Sequence, residues 1–127
     1  MTNAQHELDS LFQQIIVKRD PFCSRPGCSK RSVAGHHVRG RSNLGTRYLP
    51  DNALGLCFDD HDKWAREQPG AVRLVLFDRI GESRYTELQE LAARVEKRNN
   101  FDFRGCRDGL STTGGKCHQK TSGYLAE

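Results

Sequence analysis

The chain has 127 residues, with 20 Lys and Arg against 16 Asp and Glu, a formal net charge of +4 and 35% apolar residues. That length suits one domain with a modest core, and the mild basic excess permits a nucleic-acid partner without establishing one. No apolar run is long enough to cross a bilayer.

Taken in chain order, the first element is a helix. Leu8, Leu11, Phe12, Ile15 and Ile16 recur at spacings of three and four, which predicts a helix over residues 4–19 with one core-facing stripe. Asp20-Pro21 ends it, because the residue before proline avoids the α region. The opening "MTNAQHELDS" lacks a basic start followed by an apolar block, so a cytoplasmic protein without a secretion signal is expected. Residues 22–59 are punctuated by Gly, Pro, Asn and Asp, and only short apolar pieces such as Ala53–Leu56 read as strand. "DDHDKWAREQ" then reads as a helix with aspartates in its first turn, stopped by Pro69. Two packing helices follow within residues 69–98, the first opened by Pro69 and closed by Gly81. Residues 101–127 are rich in Gly, Ser and Thr and predict a flexible tail.

The cysteines carry the first chemical signal. Five of them cannot all pair with one another, and in a reducing setting metal ligation is expected before a disulfide framework. Cys23 and Cys28 flank the turn-forming "SRPG", and Cys57 is followed three positions later by Asp60. Two ligands on a turn and two more at a helix start is how small structural zinc sites are built. Asp60 stands where Cys or His is more usual, so Cys106, Cys117 or His118 are alternative fourth ligands. A metal-free site, with the cysteines buried as small apolar groups, is the other reading. For Cys106 and Cys117 themselves, free thiols in the tail are expected.

The histidines carry the second signal. His36 and His37 are adjacent, so on an extended segment their side chains leave on opposite sides. His61 opens the next helix and is placed to meet one of the pair across a hairpin. Two imidazoles suit a divalent transition metal with open positions, and a third, unligated, has an ordinary pKa near ~6.5 and can accept a proton from water. Arg39, Arg41 and Arg47 lie between these histidines on a loop with Gly40 and Gly45, a composition that suits phosphate contacts or simply a solvated face. Asn52 follows Pro50-Asp51, a natural turn. Its side chain is also suited to bond across the loop and hold the histidine segment.

Together, Cys23 and Cys28, His36-His37-Val38, and "NALGLCFDDH" from Asn52 to His61 resemble the HNH endonucleases, the His-Me finger or ββα-metal nucleases. The lead-in "IVKRDPFCSRPGC" resembles that of cysteine-bearing HNH proteins, and "HHVRGRSNLGTRYLPDNALGLC", followed by a Trp and "GESRYTEL", is similar to phage recombination-associated HNH proteins of the NinG-like type. The resemblance spans about residues 11–98. It implies an α+β fold: a small ββα-metal core with its zinc clip at 22–68, an N-terminal helix and two C-terminal packing helices, making one nuclease domain over residues 1–100. It implies a metal-dependent enzyme that hydrolyses DNA phosphodiesters to 5′-phosphate and 3′-hydroxyl ends, in phage or mobile-element DNA processing or recombination.

Carried onto this chain, the resemblance makes His36 the first metal ligand, His37 the general base and His61 the second ligand, with Asn52 completing the catalytic set in a structural role. Ala65 occupies a position where some relatives carry a further ligand. The catalytic cation would be Mg²⁺ or Mn²⁺, with Ni²⁺ and Zn²⁺ as other candidates, and a structural Zn²⁺ would sit at Cys23, Cys28, Cys57 and Asp60. A non-catalytic, zinc-stapled nucleic-acid-binding module is the alternative, and a metal protein whose histidines complete the zinc site is another.

Overall fold

Leu8, Phe12 and Ile16 lie one turn apart, and their burial decides where everything else packs. In the computed structural model, which describes residues 3–94 and 102–113, these three side chains are fully buried on helix α1, Asn3–Arg19. Lys18 and Arg19 in its last turn complement the helix dipole. The helix stops at Asp20, ahead of Pro21, with a last bond from the Asp20 N–H to the Ile16 carbonyl.

Against α1 lies a two-stranded antiparallel sheet, β1 Ala34–His37 and β2 Ala53–Leu56, with Gly35 opposite Gly55 and His37 opposite Ala53. The paired glycines permit close approach. A Cβ on Gly35 would lie 2.9 Å from the Ile16 side chain, and one on Gly55 would lie 2.6 Å from Asp20 Cβ. The connection between the strands carries a short helical turn, α2 Leu44–Arg47, and a 3₁₀ turn, Pro50–Asn52. After β2 the chain forms a wide π-helical turn, Asp60–Trp64, that runs into α3, Ala65–Glu67, where an ordinary helix was expected. The expected pair of C-terminal helices appears as α4, Pro69–Ile80, and α5, Glu82–Ala93. Gly81, at φ 86°, breaks between them. Residues 95–98 of the expected second helix lie outside the described residues.

Asp20 ties three of these elements together. Its carboxylate accepts from Arg19 (2.9 and 2.7 Å), from Arg79 of α4 (2.8 Å) and from the Gly55 N–H of β2 (2.9 Å). Burial alone would raise its pKa, but the hydrogen bonds of Arg19 and Gly55 and the charges of Arg19 and Arg79 lower it to about 2.

The tail expectation needs correction at residues 103–113. Phe103–Thr113 form a helix, α6, that packs on α1. Its Cys106 and Leu110 are buried, and Phe103 meets Tyr48 edge-on. These apolar residues fall at i, i+3 and i+7, and burying them outweighs the weak helix propensity of the intervening glycines. Cys106 is disulfide-bonded, so the free-thiol and fourth-ligand readings do not hold for it. Cys117 and His118 lie outside the described residues. Among the described residues, no helix is long and apolar enough to cross a membrane. The whole is a small mixed α+β fold.

Candidate metal centre and histidine cleft

The four residues of the cysteine signal meet in space. One ligand atom from each of Cys23, Cys28, Cys57 and Asp60 lies within 4.8 Å of the others. The turn is closed by hydrogen bonds from the Cys23 N–H to the Lys30 carbonyl and from the Cys28 N–H to the Arg25 carbonyl, with Gly27 at φ 85°. Cys57 directly follows β2 and Asp60 begins the π turn, its own N–H directed at Cys57 Sγ at 3.4 Å. Asp60 Oδ2 is 3.2 Å from Cys23 Sγ and 3.4 Å from Cys57 Sγ, and Cys28 Sγ is 4.0 Å from Cys57 Sγ. Around a tetrahedral zinc with bonds of ~2.0–2.3 Å, neighbouring ligand atoms are separated by about 3.5–3.8 Å. The observed edges bracket that range.

The carboxylate of the set, its one oxygen donor, is held from outside. Arg25 Nη1 bonds Asp60 Oδ1 at 2.9 Å, leaving Oδ2 to face the sulfurs. Burial works to raise the Asp60 pKa, yet hydrogen bonds from Cys23, Arg25, Cys28 and Cys57 leave it lowered, so the carboxylate is anionic. Burial pushes the Cys23 thiol up to about 12. A bound cation would reverse that by stabilising the thiolate. The donor set therefore fits a closed, four-coordinate cation.

A second cluster begins on the next residue of the same turn, where His61 meets His36. His36 and His61 have ring centroids 5.4 Å apart at an interplanar angle of 78°. Imidazoles that share a cation through bonds of ~2.0–2.1 Å place their ring centres about 5 Å apart, close to the spacing of this pair. Burial and the neighbouring His61 lower the His36 pKa to about 4, which keeps its lone pair available.

His37 leaves β1 on the opposite side and stacks on Phe12 of α1, with centroids 5.0 Å apart and planes at 16°. Its pKa is also lowered to about 4, by burial and then by the charges of Arg41 and Arg47, against a hydrogen bond that the ring donates to the Arg47 backbone carbonyl. The ordinary value near 6.5 expected from sequence is therefore displaced. His37 Nε2 is buried and has no hydrogen-bond partner among the described residues. Beside it is a cleft of about 260 Å³, lined by Asp9, Phe12, Gln13, His37, Arg41 and His61 among others.

Asn52 is completely buried and its carboxamide is fully used. Oδ1 accepts the Arg39 N–H at 2.8 Å, and Nδ2 donates to the carbonyls of Arg39 (3.2 Å) and Thr46 (3.1 Å). Its backbone carbonyl accepts the Val38 N–H at 2.8 Å. The side chain thus closes the loop that leaves the histidine strand, acting through structure and not by touching a reacting group.

The arginines divide. Arg41 is exposed, its guanidinium 3.7 Å from Asp9, and Arg39 is half-buried. Arg47 departs from the expectation of a phosphate contact. Its guanidinium is buried and grips both oxygens of Asp9 (3.1 and 2.9 Å), and it also donates to the Arg41 carbonyl. Tyr48 donates to the same Asp9 at 2.6 Å. Sequence reasoning missed Asp9, Gln13 and Arg25. Asp9 and Gln13 sit next to the stripe residues Leu8 and Phe12, so their helical position was the available signal.

Compared with known proteins, the chain matches no family model, no curated protein and no solved structure.

Proposed function

We propose that this protein is a metal-dependent DNA endonuclease of the HNH type, with β1, β2 and the turn through His61 as its ββα-metal core and a structural zinc at the Cys/Asp cluster. The observation that carries the reading is the split of the adjacent histidines: His36 turns toward His61 while His37 turns into the wall of a cleft that also reaches His61. A purely structural metal protein has no use for that division of labour. A zinc-stapled nucleic-acid binder would need the sulfur cluster and the arginines but not the three imidazoles.

In this reading His36 and His61 hold a divalent cation, Mg²⁺ or Mn²⁺ by preference. When bound it stabilises charge on the phosphate and on the departing 3′ oxygen. His37 is neutral, and its unpartnered Nε2 is the atom that accepts the proton of the attacking water. Phe12 fixes the plane of that ring by stacking. Arg41, exposed at the cleft, and Arg39 contact flanking phosphates, so binding weakens steeply with salt. Asn52 holds the loop between these arginines and the strand. The products are a 5′-phosphate and a 3′-hydroxyl.

The test is cleavage of supercoiled plasmid with added Mg²⁺ or Mn²⁺. His37→Ala should lower the rate by ~10²–10⁴ while DNA binding persists. A variant that cuts as fast as the parent removes His37 from the chemistry, and a parent inert with every divalent ion leaves the binder.

A further inference from the structure

A strand at the edge of a sheet exposes backbone groups that need partners. Among the described residues β1 has only β2 beside it, and at Gly35 the outer edge is closed by a side chain. Gln13 Nε2 donates to the Gly35 carbonyl at 3.0 Å, and Gln13 Oε1 accepts the Gly35 N–H at 2.7 Å. One planar carboxamide thus pairs with both backbone groups of one residue, as a neighbouring strand would. Gly35 directly precedes His36 and lies two positions before His37. The approach is possible because Gly35 has no side chain, Ile16 filling that space. Phe12, Gln13 and Ile16 therefore present one face of α1 to the strand: a ring on His37, an amide on Gly35 and a methyl-bearing stem beneath it.

We propose that Gln13 is a positioning residue for the histidine pair: by clamping both backbone groups of Gly35 it sets the twist of β1, and with it the directions in which His36 and His37 leave the strand. A four-residue strand paired on one side has little rigidity of its own. A misplacement of ~1 Å at reacting groups costs about 10²-fold in rate. The catalytic consequence rests on the nuclease reading above, whereas the clamp itself does not.

The experiment compares the full chain with Gln13→Leu, which keeps the length and loses both bonds, and Gln13→Glu, which keeps the acceptor for the Gly35 N–H and loses the donor to its carbonyl. Hydrogen exchange at the Gly35 amide is read by NMR, alongside kcat and KM for plasmid nicking with Mn²⁺. Gln13→Leu should speed Gly35 exchange about tenfold or more, since two hydrogen bonds of ~1 kcal/mol each are lost. Gln13→Glu should fall between it and the parent. kcat per folded molecule should fall about 10- to 100-fold, with KM changed less than about twofold. A residue that merely supported the fold would lower the folded fraction and leave kcat per folded molecule unchanged, which overturns the positioning role. Unchanged Gly35 exchange in Gln13→Leu overturns the clamp. Faster exchange in a protein whose parent never cuts DNA upholds the clamp and removes only the nuclease reading.

Discussion

The sulfur cluster and the histidine cluster are built from neighbouring residues of one turn, Asp60 and His61, yet their surroundings differ. Around Asp60 four donor atoms face one another, three on buried residues and one on the half-buried Cys28, with Arg25 holding the outer carboxylate oxygen. Around His61 the ring of His36 meets it edge-on, and a cleft lined by His61 and His37 lies beside them, with His37 Nε2 unpartnered among the described residues. A closed donor set suits a cation that staples the fold, and an open one suits a cation that meets substrate. On the proposed reading a single turn would serve both, the first site fixing the backbone that carries the second.

The comparison breaks most sharply at the staple. Cys57→Ala should release the metal and prevent cooperative folding, since structural zinc binding of ~10–16 kcal/mol in small domains rivals the whole stability of ~5–15 kcal/mol. Elemental analysis with circular dichroism checks this, and a variant that melts like the parent with metal bound would contradict it. Next is the buried pair behind the histidine cleft. Asp9→Ala strands the Arg47 charge and removes the carboxylate that accepts the Tyr48 hydroxyl, and should cost about 3–5 kcal/mol in urea unfolding. A change under about 1 kcal/mol would mean that the pair is not desolvated.

The smallest effect concerns Asp20, whose carboxylate belongs to neither cluster. Its folded-state pKa of about 2 lies below the unfolded value of 3.8, so its contribution of about 2 kcal/mol is complete above pH ~4 and is lost as pH falls toward 2. Asp20→Asn should flatten the fall in stability over that window, with urea midpoints recorded at each pH as the measurement.

Much of this was legible because it is local. The stripe from Leu8 to Ile16 and the stop at Pro21 give α1 directly. The spacing of Cys23, Cys28, Cys57 and Asp60 marked the cluster that the fold assembles. What escaped depends on partners distant in the chain. Arg47 looked like a free cation until the fold brought Asp9, 38 residues away, onto it. Gln13 gave no signal because its partner is the backbone of Gly35. Helix α6 was hidden by Gly105 and Gly109, which weaken local propensity while Phe103, Cys106 and Leu110 still find α1. The strand β1 was masked by Ala34-Gly35, residues with little strand preference that earn their place through close packing on Ile16.

The division into a closed and an open centre is tested most directly by stepwise chelation, with bound metal counted and plasmid nicking followed on the same samples. The account predicts that a mild chelator abolishes nicking while one zinc per chain and the far-ultraviolet spectrum persist, and that Mg²⁺ or Mn²⁺ restores the activity. Nicking that survives until the tightly held zinc itself is stripped, or a single metal lost in one step together with the fold, would contradict it.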